Sequence, residues 1–141
     1  MIVSSLDSAV AIARAVGHPA RLRTLAMLRT GELCVCQITA VLVLAPSTVS
    51  AHLRELRRAG LTRERKAGRW VFVGLAVSPE AAGWIATALA GVEDDEQMAA
   101  DRRTVDEVRA LPIEDICRLG YEAAKEKHAA CGSTPLHDGL E

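Results

Sequence analysis

Aromatic side chains are nearly missing from this 141-residue chain, where Trp70, Phe72, Trp84 and Tyr121 are the only four. A core must therefore be assembled from aliphatic residues and alanine, and half of the chain is hydrophobic, which supplies enough of both. Also missing is any apolar run approaching the roughly 18 residues a membrane span requires, so no membrane partner is expected. The opening MIVSSLDSAVAIARAVG lacks the basic start and cleavage pattern of a secretory signal. Its apolar residues recur at helical spacing, interrupted by Asp7 and Arg14, and it reads as an amphipathic helix of a cytoplasmic protein. Without a secretion signal, the four cysteines at 34, 36, 117 and 131 are expected as reduced thiols rather than two disulfides, available as metal ligands or redox groups.

Net charge is also nearly absent, at −1, but the mean conceals a strong asymmetry. Residues 47–69 hold seven Lys/Arg against two acids, whereas residues 93–141 hold six basic residues against thirteen acids. A basic block with an acidic appendage is the charge layout of a nucleic-acid-binding module carrying an extension. We divide the chain accordingly. Residues 1–92 form a DNA-binding and dimerisation domain, and 93–141 an acidic helical C-terminal extension with a loose end.

Periodicity fills in that outline. A first helix from near Leu6 to Val16 stops at Gly17, and Pro19 opens a second that Gly31 closes. After GELCVC, a short apolar helix runs from near Gln37 to Val43. Pro46 then opens PSTVSAHLRELRRAG, which ends at Gly60. Two extended runs, LTRERK and RWVFVGL, are joined by Ala67-Gly68. PEAAGWIATALAG is apolar almost all round and is expected to be buried against a second subunit. The acidic GVEDDEQ marks a boundary, followed by helices near 96–110 and 113–130. The order predicts a mostly α fold with a β-hairpin wing, a winged helix-turn-helix.

At about 100° per residue, Val49, Leu53 and Leu56 form one stripe of the helix after Pro46. Ser47, Ser50, Ala51, Arg54 and Arg58 fall opposite, with Arg57 at the edge, while His52 borders the core and Thr48 lies beyond it. Small hydroxyl residues at the N-terminal end can approach bases closely, and arginines beyond them neutralise phosphates or bind guanine. The hairpin adds Arg63, Arg65, Lys66 and Arg69 around its tip. The DNA-contacting set is therefore Ser47, Thr48, Ser50, His52, Arg54, Arg57 and Arg58 on the helix with Arg65, Lys66 and Arg69 on the wing. An amphipathic helix beside a merely soluble hairpin would explain one arginine, but not seven basic residues on two adjacent elements.

Cys34 and Cys36 are two residues apart, so inside a regular helix their side chains would diverge by about 200°. At a helix start or in an extended segment they can converge, and chelation there would distort the beginning of the third helix. Two soft thiolates suit arsenite, antimonite, cadmium, zinc or copper(I) better than hard cations. Spacing alone leaves open that both are small core residues.

The pieces HPARLRTLAMLRTGELCVCQI, STVSAHLRELRRAGL and RKAGRWVFVGL, in this order, resemble the arsenic-responsive branch of the ArsR/SmtB-type metal-responsive repressors. The resemblance runs from about Leu6 to Gly91. It implies a homodimer built on the first and fifth helices, operator duplex DNA read by the helix around Ser47–Arg58, and release when arsenite binds. It further implies that Cys34 and Cys36 occupy the family's ligand positions, with Sb(III), Cd(II) or Zn(II) as alternative effectors. One departure concerns the third cysteine that many arsenite-binding members carry three residues after the second. Thr39 stands there, so either a hydroxide or small thiol completes a two-thiolate site, or Cys117 or Cys131 is a possible third ligand. The family's alternative zinc site uses Asp and His on the fifth helix, and PEAAGWIATALAG has neither.

Cys117 sits among Ile113, Ile116 and Leu119 and reads equally well as a buried helix residue. His128 and Cys131 form a weak His-x-x-Cys pair. His18, before Pro19, is expected to be structural, and His137 solvated. A redox switch would need a long-range partner, because a disulfide between residues two apart is strained. A thiol-dependent enzyme is disfavoured, since no histidine or basic cluster flanks the pair to activate a nucleophile.

Overall fold

The computed structural model describes residues 5–132, with side chains through residue 129. The Cys131 side chain, His137 and the end read as loose lie outside the described residues. Helix α1 (Leu6–Val16) is capped by Ser5, whose Oγ accepts the Ser8 N–H at 3.1 Å. Helix α2 (Pro19–Leu28) begins with proline at its first turn, and His18 Nδ1 accepts the Ala20 N–H at 3.0 Å. His18 is thus structural, a helix cap. A two-residue strand β1 (Leu33–Cys34) leads into α3 (Val35–Leu42), and α4 (Pro46–Arg58) follows. The hairpin β2 (Thr62–Ala67) and β3 (Trp70–Leu75) turns at Gly68, whose φ of 62° suits glycine. Helices α5 (Pro79–Ala90), α6 (Glu96–Arg109), α7 (Ile113–Leu119) and α8 (Tyr121–Gly132) complete the chain.

The winged helix-turn-helix is therefore present, with two differences from the pattern read above. The wing is a three-stranded antiparallel sheet in the order β1-β3-β2, because Leu33 and Cys34 pair with Val73 and Phe72. The helix expected over 113–130 is two helices. Gly120 breaks it with φ 84° and ψ 165°, a conformation that a side chain at that position would oppose. The third helix also starts two residues earlier than expected, at Val35. Among the described residues, no single helix is long and apolar enough to cross a membrane.

Two apolar clusters hold these elements. One gathers Met27, Leu33, Ile38, Leu42, Val49 and Leu53 with Val105, Val108, Ile116 and Ala124 of the C-terminal helices. The other joins Ile12, Leu25, Leu56, Leu61, Ile85 and Leu89. Each such side chain contributes about 1.5–3 kcal/mol by leaving water. The stripe Val49, Leu53 and Leu56 is buried, so α4 is divided by both clusters while its opposite face stays outside.

Helix α6 is tied down electrostatically as well. Arg23 on α2 donates to both carboxylate oxygens of the buried Asp101, at 2.8 and 3.0 Å, and Gln97 Nε2 adds a third donor at 3.0 Å. The hydrogen bond to Asp101 raises the Arg23 pKa further, against the opposing effect of burial. The buried Asp115 joins α7 to α8 through His128 at 2.7 Å and Lys127 at 3.2 Å. Those two donors hold its carboxyl below the usual carboxylate range. Tyr121 donates to Glu107 across α8 and α6, and burial together with that carboxylate pushes the phenol up to about 12.

Candidate thiol site and nucleic-acid interface

The start of α3 resolves the spacing problem posed by Cys34 and Cys36. Cys34 is the extended residue before the helix (φ −70°, ψ 149°), pinned on one side by pairing with Phe72. Its N–H donates to Gln37 Oε1 at 2.8 Å, which fixes the helix start. Cys36 lies in the first helical turn. Because Cys34 is not helical, the two thiols need not diverge, and the backbone already permits convergence without unwinding α3. The expected distortion of the helix start is thus not needed to bring the sulfurs together.

Helix α7 delivers the third sulfur. Ile116 anchors it in the core, and Cys117, the next residue, faces α3. The sulfurs of Cys34, Cys36 and Cys117 all lie within 4.8 Å of one another, with Cys34 buried and the other two half-buried. Cys34 and Cys117 Sγ are 4.0 Å apart, and Cys36 and Cys117 are joined as a disulfide with their Cα atoms 5.2 Å apart. This pairing, across 81 residues, departs from the expectation of reduced thiols and is the long-range partner that a redox role would need. Thr39 donates its hydroxyl to the Val35 carbonyl at 2.8 Å and is occupied within the helix. His128 lies against Asp115, and the Cys131 side chain paired with it in sequence is outside the described residues.

Three mutually close thiols, once reduced, make a compact pyramidal or trigonal donor set for one soft ion. The site has two approaches. A cleft of about 400 Å³ on one side is lined by Cys34, Cys36, Ser50, Arg54, Arg57 and Arg69. An apolar groove of about 750 Å³ on the other is lined by Cys36, Cys117, Val43, Leu119 and Tyr121. Cys34 and Cys36 therefore share a cleft with residues expected at the nucleic-acid surface.

On that surface Ser47, Thr48, Ser50, Arg54, Arg57 and Arg58 are exposed along α4, and Arg65, Lys66 and Arg69 are exposed on the wing. His52 is turned inward instead. Its Nδ1 lies 3.1 Å from an Arg21 nitrogen and its ring packs 4.3 Å from that of His18. Burial, then the neighbouring His18 and Arg21, hold its pKa below the ordinary value. Arg21 also donates to the Ala15 and Arg14 carbonyls at the end of α1, so this cluster joins α1, α2 and α4.

Several surface arginines are already paired. Arg57 meets Glu64 at 2.9 Å, Arg65 meets Glu32 at 2.9 Å and Arg69 meets Glu114 at 3.0 Å. Sequence reading missed Glu32 and Glu114 as wing partners. Their only advance signal was nearness in sequence to Cys34 and Cys117.

Comparison with known proteins agrees with this architecture. Residues 18–63 match the family described as "Bacterial regulatory protein, arsR family". The chain is 43% identical over 74 residues to the arsenic resistance transcriptional regulator ArsR1 of Pseudomonas putida, covering 52% of this chain and 56% of that protein. The chain thus spans little more than half the length of that relative. Among solved structures, HlyU from Vibrio cholerae superposes with a TM-score of 0.54 at 36% identity, covering 60% of this chain and 90% of that one. The homodimeric winged helix-turn-helix DNA-binding domain Mb0332 of Mycobacterium bovis gives a TM-score of 0.56 at 26% identity, covering 68% and 94%.

Proposed function

The chain belongs to the arsR family of bacterial regulatory proteins, and from that premise we propose that it is a metalloid-responsive transcriptional repressor. In this reading it binds operator DNA as a dimer through α4 and the wing, and leaves when arsenite or antimonite binds Cys34, Cys36 and Cys117. The observation that carries the reading is the gathering of three sulfurs within 4.8 Å, two of which, Cys34 and Cys36, line a cleft with Arg54 and Arg57 of α4. Arsenite arrives as As(OH)₃. Three thiols displace its hydroxyls, forming three As–S bonds and releasing three waters, with no change of oxidation state. A ligand shifts the DNA equilibrium only by favouring one arrangement of the chain over another. Here it would favour α7 seated against α3.

The test uses the full chain under a thiol reductant and an operator selected from a random duplex pool. Sodium arsenite is expected to release that duplex from the wild type and to leave Cys34→Ser, Cys36→Ser and Cys117→Ser bound. Unchanged release in all three variants would sink the proposal.

The Cys36–Cys117 disulfide favours a second reading, a switch driven by thiol oxidation. Closing that bond gives two electrons and two protons to an oxidant such as a peroxide. Release by peroxide, reversed by dithiothreitol and indifferent to arsenite, would select it over the first.

A further inference from the structure

The thiol site and the wing are connected by acids as well as by strands. Glu32 stands two residues before Cys34 and Glu114 three residues before Cys117. Between them they hold three wing arginines. Glu32 Oε2 accepts from Arg65 at 2.9 and 3.1 Å, and its Oε1 accepts from Arg63 at 3.4 Å. Glu114 Oε1 accepts from Arg69 at 3.0 Å. The strand register adds a direct path. Cys34 pairs with Phe72, Phe72 pairs with Arg65, and the Arg65 guanidinium lies 4.8 Å from the Phe72 ring centre.

A wing grips DNA by offering cations to phosphates. A carboxylate already on the cation occupies that place and cancels its charge. We propose that Glu114 is the residue through which occupation of the thiol site is read at the DNA surface, acting as an internal substitute for a phosphate on Arg69. This rests on the metalloid-responsive reading given above.

The two acids differ in what holds them. Glu32 adjoins β1, which is held to β3 by strand pairing. Glu114 rides on α7, a helix of seven residues fixed to the rest by Ile116, by Asp115 and, through Cys117, by the bond to Cys36 that a shared ion would replace in the reduced chain. Residues 114 and 117 are three apart, so one helical face carries both the ligand and the wing partner. An ion shared by Cys34, Cys36 and Cys117 fixes α7 in the seated position and with it Glu114 on Arg69. DNA draws Arg69 the other way. The two ligands are thereby antagonistic, and each weakens the other by the same factor. Glu32 lowers affinity for DNA equally in both states, whereas Glu114 does so only when α7 is seated.

The experiment measures anisotropy of a labelled, selected operator duplex with full-length, reduced protein, with and without sodium arsenite, across a salt series. Arsenite binding is followed separately by loss of titratable thiols. Glu114→Gln should bind arsenite as the wild type does, yet its arsenite-induced loss of DNA affinity should shrink about two- to fivefold, the range of one exposed ion pair. The arsenite-induced change in the slope of log affinity against log salt should fall by about one phosphate contact. Glu32→Gln should bind DNA more tightly in both states and keep the wild-type ratio. Wild-type coupling and slope change in Glu114→Gln would overturn the proposal. Failure of the wild type to bind arsenite would instead remove the reading beneath it, and the proposal with it.

Discussion

The two apolar clusters of this chain are finished in different ways. The one under α3 is closed by the chain itself, since Val105, Val108, Ile116 and Ala124 of α6–α8 lie over Ile38 and Leu42. The one between α1 and α5 is left open. Leu6 and Val10 are exposed on α1, and the outer face of α5 shows Ala82, Gly83, Ala86 and Ala90 with Trp84 half-buried. The difference separates two tasks. In the reading proposed here, sensing is completed within one chain by its C-terminal helices, and association is left to the α1 and α5 faces.

The largest effect should come from unfastening the closed cluster. Arg23→Met removes two of the three donor contacts and the only described countercharge from the buried Asp101 carboxylate, so stability should fall by about 3 kcal/mol, read from urea unfolding. Wild-type stability would mean that α6 is held by apolar packing alone. Next comes Cys117→Ser. An allosteric coupling of about 5- to 150-fold between arsenite and operator should drop to near one, while arsenite-free DNA binding is retained. Retained coupling would place the sensor outside the closed cluster.

The open cluster is tested by Leu6→Asp with Val10→Asp. Sedimentation should show dimer association weakened by about tenfold or more, while thermal unfolding of the monomer stays unchanged. A stable dimer in that variant would move the association surface away from α1.

The smallest effect concerns the His52 contact with α2. With its folded pKa held below the ordinary histidine value, the unfolded chain binds the proton first as pH falls. Stability should therefore be full above about pH 6.5, decline through that value, and level off below the depressed folded value. His52→Gln should flatten this slope. A slope unchanged by the substitution would assign it to other groups.

Much of this was legible because its causes are local. The stripe of Val49, Leu53 and Leu56 follows from helical period alone, and the wing from an alternating run with Gly68 at its turn. Strand β1 was not legible, because two residues show no period and exist as a strand only through Val73 and Phe72, nearly forty positions later. The break at Gly120 was missed because the residues on both sides continue a helical pattern. Cys117 and Cys131 looked equivalent in sequence, which does not show that α7 packs on α3 and brings the Cys117 sulfur beside Cys34 and Cys36. His52 sat at the edge of the buried stripe, and its inward turn depends on Arg21 and His18 from another helix. The pairing of Glu32 and Glu114 with the wing was hidden for the same reason.

The central claim is that the C-terminal extension contributes the third sulfur through Cys117. Arsenic X-ray absorption on the reduced, arsenite-loaded chain tests it most directly. Three sulfur neighbours per arsenic in the wild type and in Cys131→Ser, falling to two in Cys117→Ser, is the predicted result. Three sulfurs retained in Cys117→Ser would contradict it.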